Sequence, residues 1–339
     1  MTTTSPAKID QRALWAGIGF SFLFTALIAW LGGRLESIRL LPDSGVAWYY
    51  WRLPEPTVWT RLAAWGGYFL HQAFTWWTIW YAQSRPHKYT DGLHWINWVA
   101  LFGNAGFIAL HVLQTHLFYD GLAQDISIFL SQGSVIVLLI WVLLMENGRR
   151  GLVWGWKAPI SPEVNRWARK THGYIFVWAA VLTFWYHPAV STPGHLIGFL
   201  YMFFLLLQGS LFFTRVHVNK WWTVALEVMV LVHGTLVAVG QGNGIWPMFF
   251  FGFGGLFVIT QMHGLGLGLP VRLALLAGYV GGVLWVYNDR GWDKLNEIIR
   301  IPAIDYLGVA VLALLIGGGL GLARRLRGRR PAPSSAAAD

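Results

Sequence analysis

The chain has 339 residues, of which 55% are hydrophobic and only 12% are charged, about half the charged fraction of an ordinary soluble domain. It contains no cysteine, which excludes disulfides, thiolate metal sites, iron–sulfur clusters and cysteine nucleophiles. The formal net charge is +10, but five of the arginines follow the last apolar segment. We therefore interpret the charge as a topology signal, predict no nucleic-acid partner, and predict an integral protein of the lipid bilayer.

Ten apolar runs approach the roughly twenty residues that a membrane-spanning helix needs. In chain order they lie at about 13–33, 61–83, 94–117, 126–146, 171–187, 195–216, 221–240, 244–263, 271–288 and 304–323. The sequence thus predicts an all-α, polytopic membrane helix bundle of about ten transmembrane helices. We expect residues 1–330 to form a single transmembrane domain and residues 331–339 to form a disordered tail.

Lysine and arginine mark one side of these spans, and cytoplasmic loops are the ones enriched in both residues. With the N-terminus inside, three of the outer loops, 119–125, 188–194 and 241–243, contain neither residue. This pattern predicts that both termini are cytoplasmic, in a bacterial inner (plasma) membrane. Ser161-Pro162-Glu163 predicts the start of a helix in the inner loop, and the aromatic outer loop 34–61 is typical of an interfacial segment.

Histidines lie in two layers along the predicted spans, and the stretch 171–234 alone contains five. Ionisable side chains in hydrocarbon are costly and mark functional sites. Two layers of imidazoles from neighbouring helices are what a membrane b-type cytochrome requires, one pair for each haem iron. We therefore predict that haem b or another histidine-ligated metal is bound by residues among His71, His111, His172, His187 and His233.

Two families with such histidines resemble part of this chain. The stretch from His195-Leu196-Ile197-Gly198 through His217 to His233-Gly234 is similar to the cytochrome b561 and ferric reductase families, which place histidines on successive helices. The resemblance implies a haem-binding membrane protein. Those families pair their histidines at a tighter helical spacing than this sequence shows, so no ligand position is carried over from them.

The short outer turn between spans five and six has a histidine at each end, His187 and His195, and is stiffened by Pro188 and Pro193. It predicts either a metal site formed by these two histidines or a turn that they merely shape. In span seven, His233 and Glu227 are candidate catalytic residues. Glu227 is equally consistent with a proton relay and with a structural ion pair to Arg215 or Lys220.

The histidines are also consistent with structural roles instead of metal or haem binding. Those at helix ends can be hydrated at the membrane interface. His71, His111 and His233 lie well inside spans, where each imidazole needs a hydrogen-bond partner. The amide side chains available as hydrogen-bond partners are those of Gln72, Asn104, Gln114, Gln132 and Gln208.

The leading hypothesis is a membrane redox protein or oxidoreductase that acts on a lipid-soluble partner such as a quinone. One alternative is a secondary transporter with a five-plus-five inverted repeat, because Phe102–Phe107 echoes Phe251–Leu256 and glycines interrupt the last spans. Another is a membrane acyltransferase or lipid-modifying enzyme. Val232-His233-Gly234 followed by Trp246-Pro247 resembles the membrane-bound O-acyltransferases, which implies a catalytic His233. A scaffold subunit without chemistry is the remaining possibility.

Overall fold

The computed structural model describes residues 8–42, 51–85 and 87–328, and these residues form an all-helical fold. The predicted tail and part of the aromatic outer loop lie outside this range. The described residues contain ten α-helices with the following bounds: α1 Ile9–Leu31, α2 Val58–Gln83, α3 Trp95–Phe118, α4 Ile128–Arg150, α5 Pro162–Tyr186, α6 Pro193–Ser210, α7 Lys220–Gly240, α8 Trp246–Ile259, α9 Leu269–Arg290 and α10 Glu297–Gly328.

Each predicted span coincides with one of these helices. Seven of the helices in the described ranges are long and apolar enough to cross a membrane by length and composition, namely α1, α3, α4, α6, α7, α9 and α10. Helix α8 has only 14 residues. Helix α5 begins with charged turns, and α2 contains many tryptophan, threonine and amide side chains, which lower their mean hydropathy. The fold is thus compatible with an integral membrane protein.

Two predicted boundaries were wrong. The helix predicted within the inner loop is the start of α5, because Ser161 accepts a hydrogen bond from the Val164 N–H and the helix then continues unbroken to Tyr186. The predicted sixth span was too long, because α6 ends at Ser210. The Asn97 side chain donates to the carbonyls of Ser210 and Phe212, at 2.8 and 2.9 Å, which satisfies backbone groups where the helix stops.

The helices pack in two joined groups. Helices α2, α3, α5 and α6 form a closed four-helix group, with α1 against α6. Helices α4, α7, α8 and α10 form the second group, with α9 packed on α8. Because α4 also packs on α5 and α6 on α7, the helices α4, α5, α6, α7, α8 and α10 close a ring. The core of the first group is aromatic, with Phe184, Trp185, Tyr186 and Phe203 almost completely buried.

The loops collect at two ends of the bundle. At the first end, Asp10 accepts a hydrogen bond of 3.1 Å from the Val216 N–H, and Arg149 donates one of 3.0 Å to the Gly264 carbonyl. We call this end, which carries the loops 84–94, 151–161, 211–219 and 260–268, the basic face. The other end is the opposite face, where Arg61 at the start of α2 forms ion pairs with Asp120 and Asp125.

Adjacent glycines in α2 provide a matched test of this packing. A Cβ added at Gly67 would overlap the buried indole of Trp185, whereas one added at Gly66 meets nothing within 4 Å. We expect Gly67→Ala to destabilise the protein by about 1–3 kcal/mol through overpacking. Gly66→Ala should stabilise it by about 0.5–1 kcal/mol through helix propensity. Thermal unfolding in detergent measures both changes, and equal effects of the two variants would contradict the described packing.

Candidate functional site

Two histidines face each other at the basic face. The ring centroids of His172 on α5 and His217 on the short 3-10 turn Val216–Val218 are 6.2 Å apart, with the ring planes inclined by 45°. The Nδ1 atom of His172 lies 2.6 Å from the Arg169 carbonyl oxygen, and that of His217 lies 3.0 Å from the Gln208 carbonyl oxygen. Because a carbonyl only accepts, each Nδ1 carries the proton and each Nε2 presents a lone pair.

The position of His217 is fixed by Gln208 of α6. The Gln208 amide donates to the His217 carbonyl at 3.0 Å, and its side-chain oxygen accepts from the Trp222 indole at 2.7 Å. Burial lowers the pKa of His217 to about 4, and the proximity of His172 acts in the same direction. His217 is therefore neutral at pH 7, which is the form of imidazole that binds metals.

The ring spacing of this pair is close to that of two imidazoles bound to one metal ion. Two imidazoles on opposite sides of one ion have ring centres about 6 Å apart, because each metal–nitrogen bond is about 2 Å long. Neither Nε2 of His172 and His217 forms a hydrogen bond with the described part of the chain. The donor set therefore fits an imidazole-preferring ion such as iron or copper. The prediction had included His172 among the ligands. It placed His217 in the same inner layer, far from His195 along span six, but did not name it as a ligand.

A second pair lies at the opposite face, in the turn that the sequence indicated. The His187 Nδ1 and His195 Nε2 atoms are 3.3 Å apart, and the His195 Nδ1 lies 2.6 Å from the Thr192 hydroxyl. His111 Nε2 donates to the His187 carbonyl at 2.9 Å. His233 packs over Gly198 of α6, where an added Cβ would be 3.0 Å from its Nε2. The structure thus gathers four of the predicted residues at this end.

This gathering does not amount to a complete set of metal ligands. Within the residues that the structure describes, no group of three or more His, Asp or Glu side chains is placed to hold a metal ion. A site at either face would therefore use a pair of protein ligands, as a bis-histidine haem does. The metal site predicted for His187 and His195 remains a prediction.

His71 stands apart from the other predicted ligands. Its Nε2 donates to the Asn104 side-chain oxygen at 2.8 Å, and its Nδ1 accepts from the Trp185 indole at 3.1 Å. The ring stacks on Phe107, with centroids 4.2 Å apart. Asn104 is one of the amide partners that the sequence suggested. Since both ring nitrogens are engaged by side chains, this arrangement favours a structural role, and the structure brings no second imidazole into ring contact with His71.

Glu227 forms an ion pair, but with a partner that the sequence did not suggest. Arg150 Nη1 lies 2.9 Å from both carboxylate oxygens of Glu227, and the Arg150 side chain is completely buried. The predicted partners lie elsewhere: Lys220 Nζ donates to the Leu265 carbonyl, and Arg215 is exposed. The pair connects α4 with α7 within the six-helix ring, which favours the structural interpretation of Glu227.

The sequence analysis also passed over several buried charged residues, among them Arg150 and Asp305. Arg150 lies directly after the fourth apolar run, beside Arg149, and was taken for a loop residue. Asp305 lies inside the tenth run, where a single carboxylate among apolar residues was a usable signal. It is only 1% exposed. In both cases the composition of the segment as a whole concealed one chemically distinct side chain.

Breaking the Arg150–Glu227 pair should be costly. Glu227→Gln leaves a buried guanidinium without its counter-charge, and we expect a loss of about 3–5 kcal/mol of stability. The double variant Arg150→Met with Glu227→Leu should recover most of that loss. Glu146→Gln is the matched control, because its ion pair with Arg149 is partly exposed and should contribute less than about 1 kcal/mol. Thermal unfolding of the wild-type protein and of the three variants measures these changes in stability. A Glu227→Gln variant as stable as the wild-type protein would contradict the buried pair.

Together, the fold and the site define a class: an all-helical protein with seven candidate membrane-spanning helices in its described part, one close histidine pair at the basic face and one at the opposite face. Compared with protein-family models, curated proteins and solved structures, the chain gives no match. The assignment of the site rests on the contacts described above.

Proposed function

We propose that the protein is a membrane redox protein that uses paired histidines to hold a haem iron or another metal. The observation that carries this proposal is the His172–His217 pair, with its 6.2 Å ring spacing and both Nδ1 atoms held by backbone carbonyls. Such second-shell hydrogen bonds fix the tautomer of a ligating histidine and raise its basicity. When bound, the metal would supply electron transfer, while these two residues would hold and orient it.

The opposite end of α5 supports a second redox centre. His187 ends this helix, fifteen residues after His172, and fifteen helical residues rise about 22 Å. His187 and His195 are already in contact there. One helix thus carries one member of each pair. We assign the reaction partner to lipid-soluble carriers such as quinones, since the described chain has no soluble domain at which a soluble partner would bind.

We further propose that all ten helices cross a bacterial inner membrane and that the basic face is cytoplasmic, with both termini on that side. The charge distribution supports this orientation. Helix α8 is the shortest, and its 14 residues rise only about 21 Å. The 3-10 turn Gln261–Gly264 extends it by about 8 Å, which brings the segment close to the thickness of the hydrocarbon core.

The absence of cysteine makes this topology directly testable. Single cysteines replacing Ser84 or Lys157 at the basic face, or Gln241 or Asn243 at the opposite face, would all be exposed. In intact cells, a membrane-impermeant maleimide should modify only the cysteines at positions 241 and 243. Those at 84 and 157 should react only after the membrane is permeabilised. Modification of position 84 in intact cells would reverse the proposed orientation.

The two alternative functions have less structural support. A transporter with a five-plus-five repeat would require the two halves to pack alike, but α4 packs closely along α5. In the other half α9 packs mainly on α8 and contacts α10 at Glu297, the first residue of that helix. The short α8, bounded by glycines with positive φ at Gly244 and Gly266, is the feature that still favours transport. For acyl transfer, His233 lies beside Gly198 and the other histidines, which does not distinguish a catalytic base from a core residue.

The redox proposal predicts a coloured or metal-containing protein. After expression with haem and iron supplied, the detergent-purified protein should show a Soret band with sharp dithionite-reduced bands, or a bound metal by elemental analysis. The His172→Ala and His217→Ala variants should each lose most of the haem or metal bound at the basic face. His263→Ala is the control, since it removes a partly exposed imidazole at the same face without disturbing the pair.

The other outcomes are equally informative. A colourless, metal-free wild-type protein would overturn the redox function and leave transport as the leading hypothesis. A haem protein in which His71→Ala and His111→Ala remove the cofactor, while His172→Ala does not, would keep the function but overturn the assignment of the ligands. Retention of colour in all of these variants would place the ligands elsewhere in the chain.

A further inference from the structure

Asp305 is a buried carboxyl group in α10, and one of its two oxygens has no hydrogen-bond partner among the described residues. The residue is 1% exposed, and its Oδ2 atom is enclosed with no donor within hydrogen-bond distance in the described part of the chain. Its helix packs closely on α4 and α8 here. Gly308 of α10 lies against the Ile140 side chain of α4. Ile301 of α10 lies close to Gly252 of α8, because a Cβ atom added to Gly252 would be 2.9 Å from the Ile301 Cβ atom. Ile301 and Gly308, which lie one turn before and one turn after Asp305, therefore pack on apolar parts of α8 and α4.

The charged groups on the neighbouring elements do not compensate Asp305. Helix α8 contains no titratable residue. The charges of α4 lie at its basic end, namely Glu146, Arg149 and Arg150. Helix α5 meets α10 at the same end, where Glu163 pairs with Arg324. On α10 itself, Glu297 is paired with Arg290 two turns away, and Arg300 binds the Asn296 side chain. Tyr306 interacts electrostatically with both Asp305 and Arg150, but Arg150 is paired with Glu227. No cation among the described residues forms an ion pair with the Asp305 carboxyl group.

An ionised carboxylate cannot persist in these surroundings without a large energetic cost, whereas a neutral carboxylic acid can. We propose that Asp305 is a proton-binding site, which holds a proton on Oδ2 as a carboxylic acid at pH 7. The O–H bond forms when the site takes up a proton and breaks when a base receives it. This inference is independent of the redox proposal, because it rests on a different helix and on different contacts.

A short chain of hydroxyl groups begins beside this site. The Tyr306 hydroxyl lies 2.8 Å from the Thr260 hydroxyl, which in turn donates to the Leu152 carbonyl at the basic face. Since Thr260 uses its only proton on that carbonyl, Tyr306 is the donor in the first contact. From the residue next to Asp305, polar atoms thus extend to the Leu152 carbonyl at the basic face.

The test uses dicyclohexylcarbodiimide, an apolar reagent that modifies protonated carboxyl groups within membranes. Treatment of the wild-type protein at pH 7, followed by peptide mass spectrometry, should show modification at Asp305 and none at Glu297, which is held ionised by Arg290. Asp305→Asn should abolish this modification. Glu297→Gln, as the matched control, should leave it unchanged. Absence of modification at Asp305 in the wild-type protein, together with the infrared result below, would overturn the proposal.

Infrared spectroscopy provides a second measurement that needs no chemical access. The wild-type spectrum should contain a carboxylic-acid C=O band that shifts in heavy water and is missing from Asp305→Asn. The unfolding temperature should be the same in the two proteins, because asparagine reproduces the shape of the neutral acid. If Asp305→Asn fails to fold, the wild-type labelling decides the question. A wild-type protein with no acid band and no label at Asp305 contains an ionised aspartate, whatever its metal content.

Discussion

Buried polar side chains determine which helices of this bundle are neighbours. Helices with apolar surfaces on all sides have little reason to prefer one partner over another in a lipid-like environment, so hydrogen bonds between helices provide the selectivity. Asn104 of α3 accepts from His71 of α2 and donates to Ser210 of α6 at 2.8 Å. This one amide joins three helices of the first group. Trp185 of α5 completes the set by donating to the same histidine.

The same constraint places the candidate site. Asn97 ends α6 by binding the carbonyls of Ser210 and Phe212, Asp10 of α1 holds the following 3-10 turn through the Val216 N–H, and Gln208 holds His217 itself. His217 therefore leaves the axis of α6 and turns towards α5. Without this break in the helix it would continue along α6, and it would not face His172. The geometry of the imidazole pair thus depends on Gln208, which contacts His217 directly, and on Asn97 and Asp10, which hold the backbone on either side of the break.

The existence of the helices could be predicted from the sequence, because hydropathy is a local property and all ten apolar runs became helices. Their partners could not. His172 and His217 are 45 positions apart in the chain and Arg150 and Glu227 are 77 apart, so helical spacing within a segment says nothing about either contact. The turn between His187 and His195 was predictable, since both residues belong to one short connection with a proline near each end. Asp305 was also recognisable in principle, but it was overlooked.

The two groups of helices divide the chemistry of the molecule. The histidine pairs belong to α5 and to the connections of α6, with the aromatic core of Phe184, Trp185 and Phe203 between the two faces. Asp305 belongs to α10 and is enclosed by α4 and α8. The two groups are joined where α4 and α10 meet α5 and where α6 meets α7. The core of the first of these contacts consists of apolar side chains from all three helices, such as Leu144, Ala168 and Val309. Coupling of the proposed electron transfer to the proposed proton binding across this contact would require a small rigid-body movement of α10 against α5, since an apolar interface transmits packing changes but not protons.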